Sequence, residues 1–335
     1  MHKYVIDMLV CPACHGELVW EIEKQTSERL HTAVANCLTC QSNYPVRDEI
    51  GIFLLPDLPR NDMWEQVDSN LMKFLRDHPE VERQLMEPPL EAISPADQMF
   101  RSMVLDEKGQ YAEAKQAEET AQVGLYTNDY LTCWSSQVDF LLAQLGSSNE
   151  PIVDLASGRG YLVEKLIQQR HQPIIATDFS PRVLRRNRLY LSHFGYYDRV
   201  TLLAFDARRT PFRDNVVPLM TTNLGLPNIE KPGALGAELG RIVNGRFLGV
   251  SFFFPEDDEV NAKVIWESGL ETFLYRETAV SHFHHASWRV KIMNSCVGAA
   301  SPTPTGKVLE GVGVDGIPIT DTELEWCILH ASTHK

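Results

Sequence analysis

The residues best suited to chemistry near the start of the chain are four cysteines in two C-x2-C pairs. Cys11 and Cys14 lie in "LVCPACHGELVW", and Cys37 and Cys40 follow in "NCLTCQSNYPV" after 22 intervening residues. Four thiolates suit the tetrahedral coordination of Zn2+. A redox pair needs one C-x2-C at a helix start, and a catalytic zinc keeps one position open for water. The spacing therefore predicts a closed, structural zinc site, with "ELVWEIE" and "HTAVAN" forming a hairpin between the pairs.

Three acidic residues, each at the end of a predicted strand, form the second group. Asp154 follows "PIV", Asp178 ends "PIIATD", and Asp206 ends "VTLLAFD". Between the first strand and the amphipathic helix "YLVEKLIQQR" lies the turn "ASGRG", which contains Gly158 and Gly160. Strand, glycine turn and helix form the nucleotide-binding arrangement of a doubly wound sheet. In such a sheet all three acids fall on the carboxyl edge, where these folds bind ligands.

The glycine turn fits a dinucleotide poorly. A dinucleotide fingerprint, G-x-G-x-x-G/A, needs a small third residue, and that position is Val163. Asp154, four residues before Gly158, suits a cationic amino-acid group rather than a pyrophosphate. Asp178, at the second strand end, can accept hydrogen bonds from both ribose hydroxyls.

From about residue 149 to residue 335 the chain resembles class I S-adenosylmethionine-dependent methyltransferases, in which "VDLASGRG", "ATDFS" and "FDARRTPF" match the first three motifs. The resemblance implies that Gly158 and Gly160 line the amino-acid end of the cofactor and that Asp154 orients its ammonium group. It also implies that Asp178 holds the ribose and that Asp206 borders the adenine. The further cofactor-binding positions that it implies are Ala156, where the family often has glycine, Phe179, Ala207 and Asn223.

The resemblance also guides the choice of catalytic candidates. Methyl transfer is an in-line displacement with a neutral leaving group, so the protein mainly aligns the reactants and excludes water. Asn223 ends the fourth strand, "VVPLMTTN", at the edge that faces the methyl group in this fold. His284, in "SHFHHASW", could take the proton of the substrate, and on a strand it would share a face with His282. The alternative is that these histidines form a surface or partly buried cluster.

The N-terminal segment has a resemblance of its own. Over about residues 4–56, "LVCPACHGEL" and "YPVRDEIGIFL" resemble the small zinc-binding proteins that partner and activate methyltransferases of the translation apparatus. A similar cysteine-rich front end also occurs fused to bacterial rRNA guanine methyltransferases. The resemblance implies an activating zinc module fused to its enzyme, and a methyl acceptor that is RNA or protein of the translation apparatus. A small-molecule acceptor remains open.

Charge bears on the acceptor. The formal net charge is −14, so the protein as a whole would repel nucleic acid at long range, which makes a nucleic-acid partner possible but not favoured. Residues 57–150 carry 7 basic and 18 acidic side chains, whereas residues 151–250 carry 14 basic and 8 acidic ones. Arginines in the second stretch form a phosphate-contacting patch or pair with the acidic stretch, and we favour the pairing. They are Arg182, Arg185, Arg186, Arg188, Arg208, Arg209 and Arg213.

These elements predict an α/β protein with a doubly wound, seven-stranded, Rossmann-like methyltransferase sheet. A small β-rich zinc-knuckle domain (1–56) and a helical segment (57–148) precede the methyltransferase domain (149–335). No run approaches the roughly 18 to 20 apolar residues of a membrane helix, and the apolar start is too short for a signal peptide. We therefore expect a cytoplasmic protein with no membrane partner, which binds S-adenosylmethionine and structural Zn2+. The alternative is a non-catalytic scaffold, and the oligomeric state is left open.

Overall fold

The computed structural model describes residues 1–58 and 62–333. The N-terminal part is an antiparallel meander of four strands: β1 Leu18–Gln25, β2 Leu30–Cys37, β3 Asn43–Arg47 and β4 Ile50–Ile52. The predicted hairpin between the cysteine pairs corresponds to β1 and β2. Asp48 and Glu49 connect β3 to β4 with φ angles of 50° and 66°. Two consecutive positive φ angles give the turn a twist that matches the flanking strands.

The middle of the chain is helical, as the sequence predicts. Its helices are α1 Met63–Asp77, α2 Pro79–Met86, α3 Pro95–Glu107, α4 Tyr111–Leu125 and α5 Asn128–Gln144. Side-chain oxygens of Asp62, Ser94 and Thr127 cap α1, α3 and α5 by accepting a backbone N–H of the first turn. Apolar side chains of α1 to α4, with Leu85 and Phe100 among them, form a separate cluster of buried residues.

The rest of the chain alternates strands and helices until a closing antiparallel pair. The strands are β5 Ile152–Asp154, β6 Ile174–Asp178, β7 Val200–Ala204, β8 Val217–Asn223, β9 Val243–Phe253, β10 Trp288–Ala300 and β11 Thr322–Thr333. The helices are α6 Tyr161–Gln169, α7 Pro181–His193, α8 Leu235–Ile242, α9 Glu259–Glu267, α10 Glu271–Leu274 and α11 Arg276–His285.

One sheet of eleven strands runs through the molecule, in the order β1-β2-β3-β4-β7-β6-β5-β8-β9-β11-β10. The last seven positions form the Rossmann-like methyltransferase sheet, and the predicted fold class is confirmed. The sequence did not predict that this sheet continues into the N-terminal meander. Strand β4 pairs in parallel with β7, with Ile50 opposite Leu202 and Ile52 opposite Ala204. The predicted domain boundaries, 1–56, 57–148 and 149–335, stay predictions.

The two β-rich parts also share their core. Val5, Leu9 and Phe53 of the N-terminal part belong to the same buried cluster as Phe205 and Met220 of the later strands. A segment of about 55 residues buries little apolar surface and is only marginally stable by itself. Packing against the large sheet supplies the surface that it lacks.

The topology defines where a ligand can lie. From β5, the next strands β6 and β7 are added on one side of the sheet, and β8 and β9 are added on the other side. The strand order therefore reverses between β5 and β8. Doubly wound sheets bind ligands in the crevice at the carboxyl ends of the strands at this reversal. Within the described ranges, no helix combines the length and the apolar character needed to cross a membrane.

Candidate cofactor and metal sites

The turn after β5 has the backbone of a close-approach site. Ala156, Gly158 and Gly160 have φ angles of 51°, 50° and 85°. A left-handed φ costs an L-residue roughly 1–2 kcal/mol, which Ala156 bears and the two glycines avoid. A Cβ at Gly158 would lie 3.4 Å from the Trp64 ring, and a Cβ at Gly160 would lie 3.5 Å from the Asn187 amide. These are ordinary contact distances, so the turn needs glycines for its conformation rather than for space.

The structure brings Asp154 and Asp178 to this turn. Asp154 is 1% exposed, and its Oδ1 accepts a 2.8 Å hydrogen bond from Thr221 Oγ1. Asp178 accepts 3.0 Å hydrogen bonds from the backbone N–H groups of Gly158 and Ser180. Burial raises the pKa of Asp154 to about 7 and that of Asp178 to about 6. Both carboxyl groups therefore change charge near neutral pH, where a cation or a hydroxyl donor from a ligand would favour the ionised form.

Asp206, the third acid, lies two residues beyond the end of β7 and already has a partner. Its Oδ2 is 2.6 Å from Arg208 Nη2, and its Oδ1 accepts from the backbone N–H of Arg208. Ala207 follows it as a half-buried residue, and Phe179 is half-buried next to Asp178. The adenine-side role of Asp206, Phe179 and Ala207 stays a prediction.

Asn223 lies at the end of β8, as predicted, next to the crevice. Its Oδ1 accepts a 2.9 Å hydrogen bond from Trp134 Nε1 of α5. The Trp134 ring stacks on Tyr161, the first residue of α6, at a centroid distance of 4.5 Å. Leu224 follows with a φ of 56°, a strained conformation of the kind that clusters at functional sites. Sequence analysis missed Trp134 and Tyr161, because an aromatic residue on a helix face usually belongs to the core.

The structure does not bring His284 to this crevice. His282 and His284 lie on α11, so the shared strand face that sequence analysis considered for them does not exist. His284 is exposed near the end of the helix, just before β10 begins at Trp288. Trp288 pairs with Thr333, beside the start of β9 and thus at the amino edge of the sheet. His284 and Asn223 therefore lie at opposite edges, because α11 precedes an antiparallel strand.

A buried ion-pair cluster joins the helical segment to the glycine turn. Asp106 of α3 accepts hydrogen bonds from Arg159 Nη2 at 2.5 Å and from Arg186 Nε at 3.0 Å. Arg159 lies between the two glycines of the turn, and Glu118 of α4 is 3.2 Å from its Nη2. Arg186 also donates to the backbone oxygen of Arg159 at 2.7 Å. The helical segment thus holds the glycine turn in place from outside the sheet.

Most of the arginines that could have contacted phosphate have acidic partners. Arg182 is 3.0 Å from Glu107 of the helical segment, and Arg209 is 2.8 Å from Asp57. Arg213 is 2.5 Å from Glu17 of the N-terminal part, which lies outside the acidic stretch. The pairing with the acidic stretch that sequence analysis favoured is thus present for Arg182 and Arg209, and the opposite charges of the two stretches were its signal.

The four predicted zinc ligands lie together. The Sγ atoms of Cys11, Cys14, Cys37 and Cys40 are all within 4.8 Å of one another. Two of these separations, Cys11 to Cys40 and Cys14 to Cys37, are 3.5 Å. Four sulfurs at 2.3 Å from a tetrahedral Zn2+ lie about 3.8 Å apart. The donor set and its size therefore fit Zn2+ with no open position.

The backbone around the cysteines repeats in the two pairs. The residue after each pair, His15 or Gln41, has a φ near 60° and donates its backbone N–H to the carbonyl of the first cysteine. A Cβ at Gly16 would lie 3.2 Å from Cys37 Sγ, so the two knuckles are in close contact. Tyr44 of "YPVRDEIGIFL" places its hydroxyl 3.2 Å from Cys11 Sγ. Hydrogen bonds to the ligands orient them as in other metal sites.

The residues of the crevice also fit S-adenosylmethionine. Gly158 and Gly160 leave the turn without side chains at these positions, and two buried carboxyl groups flank it. Asp154 would hold the ammonium group of the cofactor, and Asp178 would hold its ribose hydroxyls. The fold and the site together define a protein with a methyltransferase-type, Rossmann-like domain.

Comparison with known proteins agrees with this class. Residues 153–247 match the family model described as a methyltransferase domain. The demethylmenaquinone methyltransferase of Lactiplantibacillus plantarum is 27% identical over 123 residues, which are 36% of this chain and 52% of that protein. The ubiquinone/menaquinone biosynthesis C-methyltransferase UbiE of Cupriavidus necator is 34% identical over 107 residues, which are 31% of this chain and 43% of that protein.

Among solved structures, the YcgJ protein of Bacillus subtilis is similar to this chain with a TM-score of 0.48 and 14% identity. The similar region covers 60% of this chain and 99% of that one. The chain spans only about half the length of the two curated relatives.

Proposed function

We propose that this protein is an S-adenosylmethionine-dependent methyltransferase that acts on a small-molecule acceptor and carries a structural zinc module in cis. The observation that carries the proposal is the glycine turn at the strand-order reversal, with the buried Asp154 beside it and Asp178 hydrogen-bonded to Gly158. The match of residues 153–247 to a methyltransferase domain supports it.

The chemistry divides between the cofactor and the protein. Bound S-adenosylmethionine supplies an activated methyl group with a neutral leaving group. Asp154 and Asp178 bind and orient the cofactor. Each does so through a carboxyl group that is buried and held by hydrogen bonds. The half-buried Asn223 and Trp134 border the place where the acceptor approaches. Alignment and exclusion of water are the contributions that such a displacement needs from a protein.

Two observations favour a small acceptor over RNA. The arginines that could contact phosphate are largely engaged with Asp106, Glu107, Asp57 and Glu17. The net charge of −14 disfavours an encounter with nucleic acid. Both curated relatives are named for methyl transfer in quinone biosynthesis. We therefore place an isoprenoid-quinone precursor or a similar ring compound ahead of RNA or protein of the translation apparatus.

The zinc module has a structural role in this proposal. Strand β4 extends the methyltransferase sheet beyond β7, whose carboxyl end leads to Asp206. Four bound thiolates would fix the two knuckles and thereby the meander that ends in β4. The module would then steady the cofactor domain from within the same chain, as an activating partner would from outside.

Calorimetric titration of the zinc-loaded full chain with S-adenosylmethionine tests the proposal. We expect one site per chain and a loss of affinity of about tenfold or more in Asp178→Ala, because a hydrogen bond to a charged group contributes roughly 1.5–3 kcal/mol. Asp198→Ala changes an exposed aspartate at the opposite, amino edge of the sheet; it is the control and should bind like the wild type. If the folded, zinc-loaded protein does not bind S-adenosylmethionine, the methyltransferase proposal is wrong and the result favours the non-catalytic scaffold. Unchanged affinity in Asp178→Ala would contradict the ribose assignment.

A further inference from the structure

The contact between Trp134 and Asn223 fixes which end of the asparagine amide faces the crevice. An indole N–H is only a donor, so its partner in the 2.9 Å hydrogen bond must be the amide oxygen of Asn223. The amide nitrogen then points away from Trp134. Among the residues that the structure describes, this nitrogen has no hydrogen-bond partner, although Asn223 is half-buried. It is therefore an available donor.

The position of Asn223 places this donor beside the cofactor turn. Thr221, two residues earlier, pairs with Asp154 across β5 and β8. Just beyond Asn223, a Cβ at Gly225 would lie 2.8 Å from the Cβ of Ala156. The end of β8 and the glycine turn are thus in contact, and Asn223 stands at the crevice between them.

Aromatic side chains form the surroundings of the donor. Trp134 stacks on Tyr161, and the ring of Tyr130, one turn earlier on α5, meets Trp326 edge to face at 4.7 Å. Trp326 also packs against Phe252, near the carboxyl end of β9. Trp326 is fully buried and backs the other rings, whereas Tyr130, Trp134 and Tyr161 are half-buried. A flat ring finds favourable stacking and edge contacts with such half-buried side chains, whereas a charged or highly hydrated acceptor would lose solvation there.

We propose that the methyl acceptor is a planar aromatic ring that carries an oxygen, and that the Asn223 amide nitrogen donates a hydrogen bond to that oxygen. Trp134 is the positioning residue, because its indole N–H holds the amide in the donating orientation. This inference rests on the proposed function and adds to it the substrate class and the residues that select it. A site built to hydrogen-bond an oxygen discriminates against a ring that lacks one, since such a ring would cover the donor and leave it unpaired.

The test uses the zinc-loaded 335-residue chain saturated with S-adenosylhomocysteine, and it compares the binding of 1-naphthol with that of naphthalene. We expect the wild type to prefer 1-naphthol by about tenfold, the value of one hydrogen bond of about 1.4 kcal/mol. Asn223→Ala should abolish this preference. Trp134→Phe keeps a ring over Tyr161 but loses the N–H, so it should reduce the preference to about threefold or less. Ser135→Ala, an exposed neighbour on α5, should match the wild type.

Two further measurements separate a role in recognition from a merely structural one. The chain has six tryptophans and therefore at most six indole N–H signals in a 1H–15N spectrum. The chemical shift of the Trp134 signal should change in Asn223→Ala but not in Ser135→Ala. The double variant Trp134→Phe/Asn223→Ala should bind 1-naphthol no worse than Asn223→Ala, because both changes remove one interaction.

The outcomes distinguish this inference from the function on which it rests. If the protein binds S-adenosylhomocysteine but shows no preference for 1-naphthol, or keeps it in Asn223→Ala, the substrate class is wrong and the methyltransferase proposal stands. If Trp134→Phe keeps the full preference, the positioning role is wrong. If the protein does not bind S-adenosylhomocysteine or S-adenosylmethionine, the proposed function itself fails.

Discussion

Neutralising Asp106 should loosen the helical segment from the cofactor turn. The Asp106 side chain is 3% exposed and pairs with Arg159 and Arg186, which are 15% and 11% exposed. Asp106→Asn keeps the shape but removes the charge, so two largely buried guanidinium groups face a neutral amide. Breaking a buried pair from one side costs about 3–5 kcal/mol. Because Glu118 remains 3.2 Å from Arg159, we expect the lower end, about 3 kcal/mol.

Hydrogen exchange is the suitable assay, because the loss should be local. A chain of 335 residues with several buried clusters need not unfold in one step, whereas amide exchange reports the opening of each element. We expect exchange in α3 and α4 to accelerate by roughly a hundredfold, the equivalent of about 3 kcal/mol. The affinity for S-adenosylmethionine should fall as well, because Arg159 belongs to the glycine turn.

The control for this prediction is an ion pair of the same segment at the surface. Lys108 and Glu82 are 2.6 Å apart but 39% and 32% exposed, and such pairs contribute at most about 1 kcal/mol. Glu82→Gln should therefore change exchange in α3 by less than about fivefold. Equal exchange rates in Asp106→Asn and the wild type would refute our account of how the helical segment is held.

Two further predictions concern the carboxyl group of Asp154 and the zinc ion. Burial raises the pKa of Asp154 to about 7, so from pH 4 to pH 7 the folded protein holds a proton that the unfolded chain releases, and its contribution to stability falls as pH rises. If the ionised carboxylate faces a cofactor ammonium, binding at pH 6 should release a proton, and affinity should rise by up to tenfold per unit between pH 5 and pH 7. Calorimetry in two buffers of different ionisation enthalpy measures this proton release. If no proton is released, the assignment of Asp154 to the ammonium group is contradicted. One zinc per chain should be found by metal analysis and lost in Cys14→Ser but kept in Cys296→Ser; protein that purifies folded without metal would overturn the zinc site.

Much of the site could be read from the sequence because its motifs are local. The ends of β6 and β8, at Asp178 and Asn223, are where the sequence predicts them. The four cysteines also meet as predicted. In each case a few consecutive residues specify a turn or a strand end, and parallel strands bring their carboxyl ends to one edge regardless of other details.

Other features depend on contacts between distant segments. The pairing of β4 with β7 joins residues about 150 positions apart, and neither strand is marked for the other by its own pattern. The sequence did not identify the helix that carries His284, because a short run of histidines and aromatic residues has no clear period. Trp134 looked like an ordinary core residue until its N–H was seen to face Asn223.

The sequence by itself determined the chemistry that is available: four thiolates at metal spacing, a glycine turn with acids at strand ends, and two stretches of opposite charge. Only the tertiary structure decided how these groups are used. It pairs Asp206 with Arg208, turns the acidic helices into the support of the glycine turn, and orients one amide by one indole. Residue types and spacing along the chain limit which interactions can form, but burial and the neighbours brought by folding select among them.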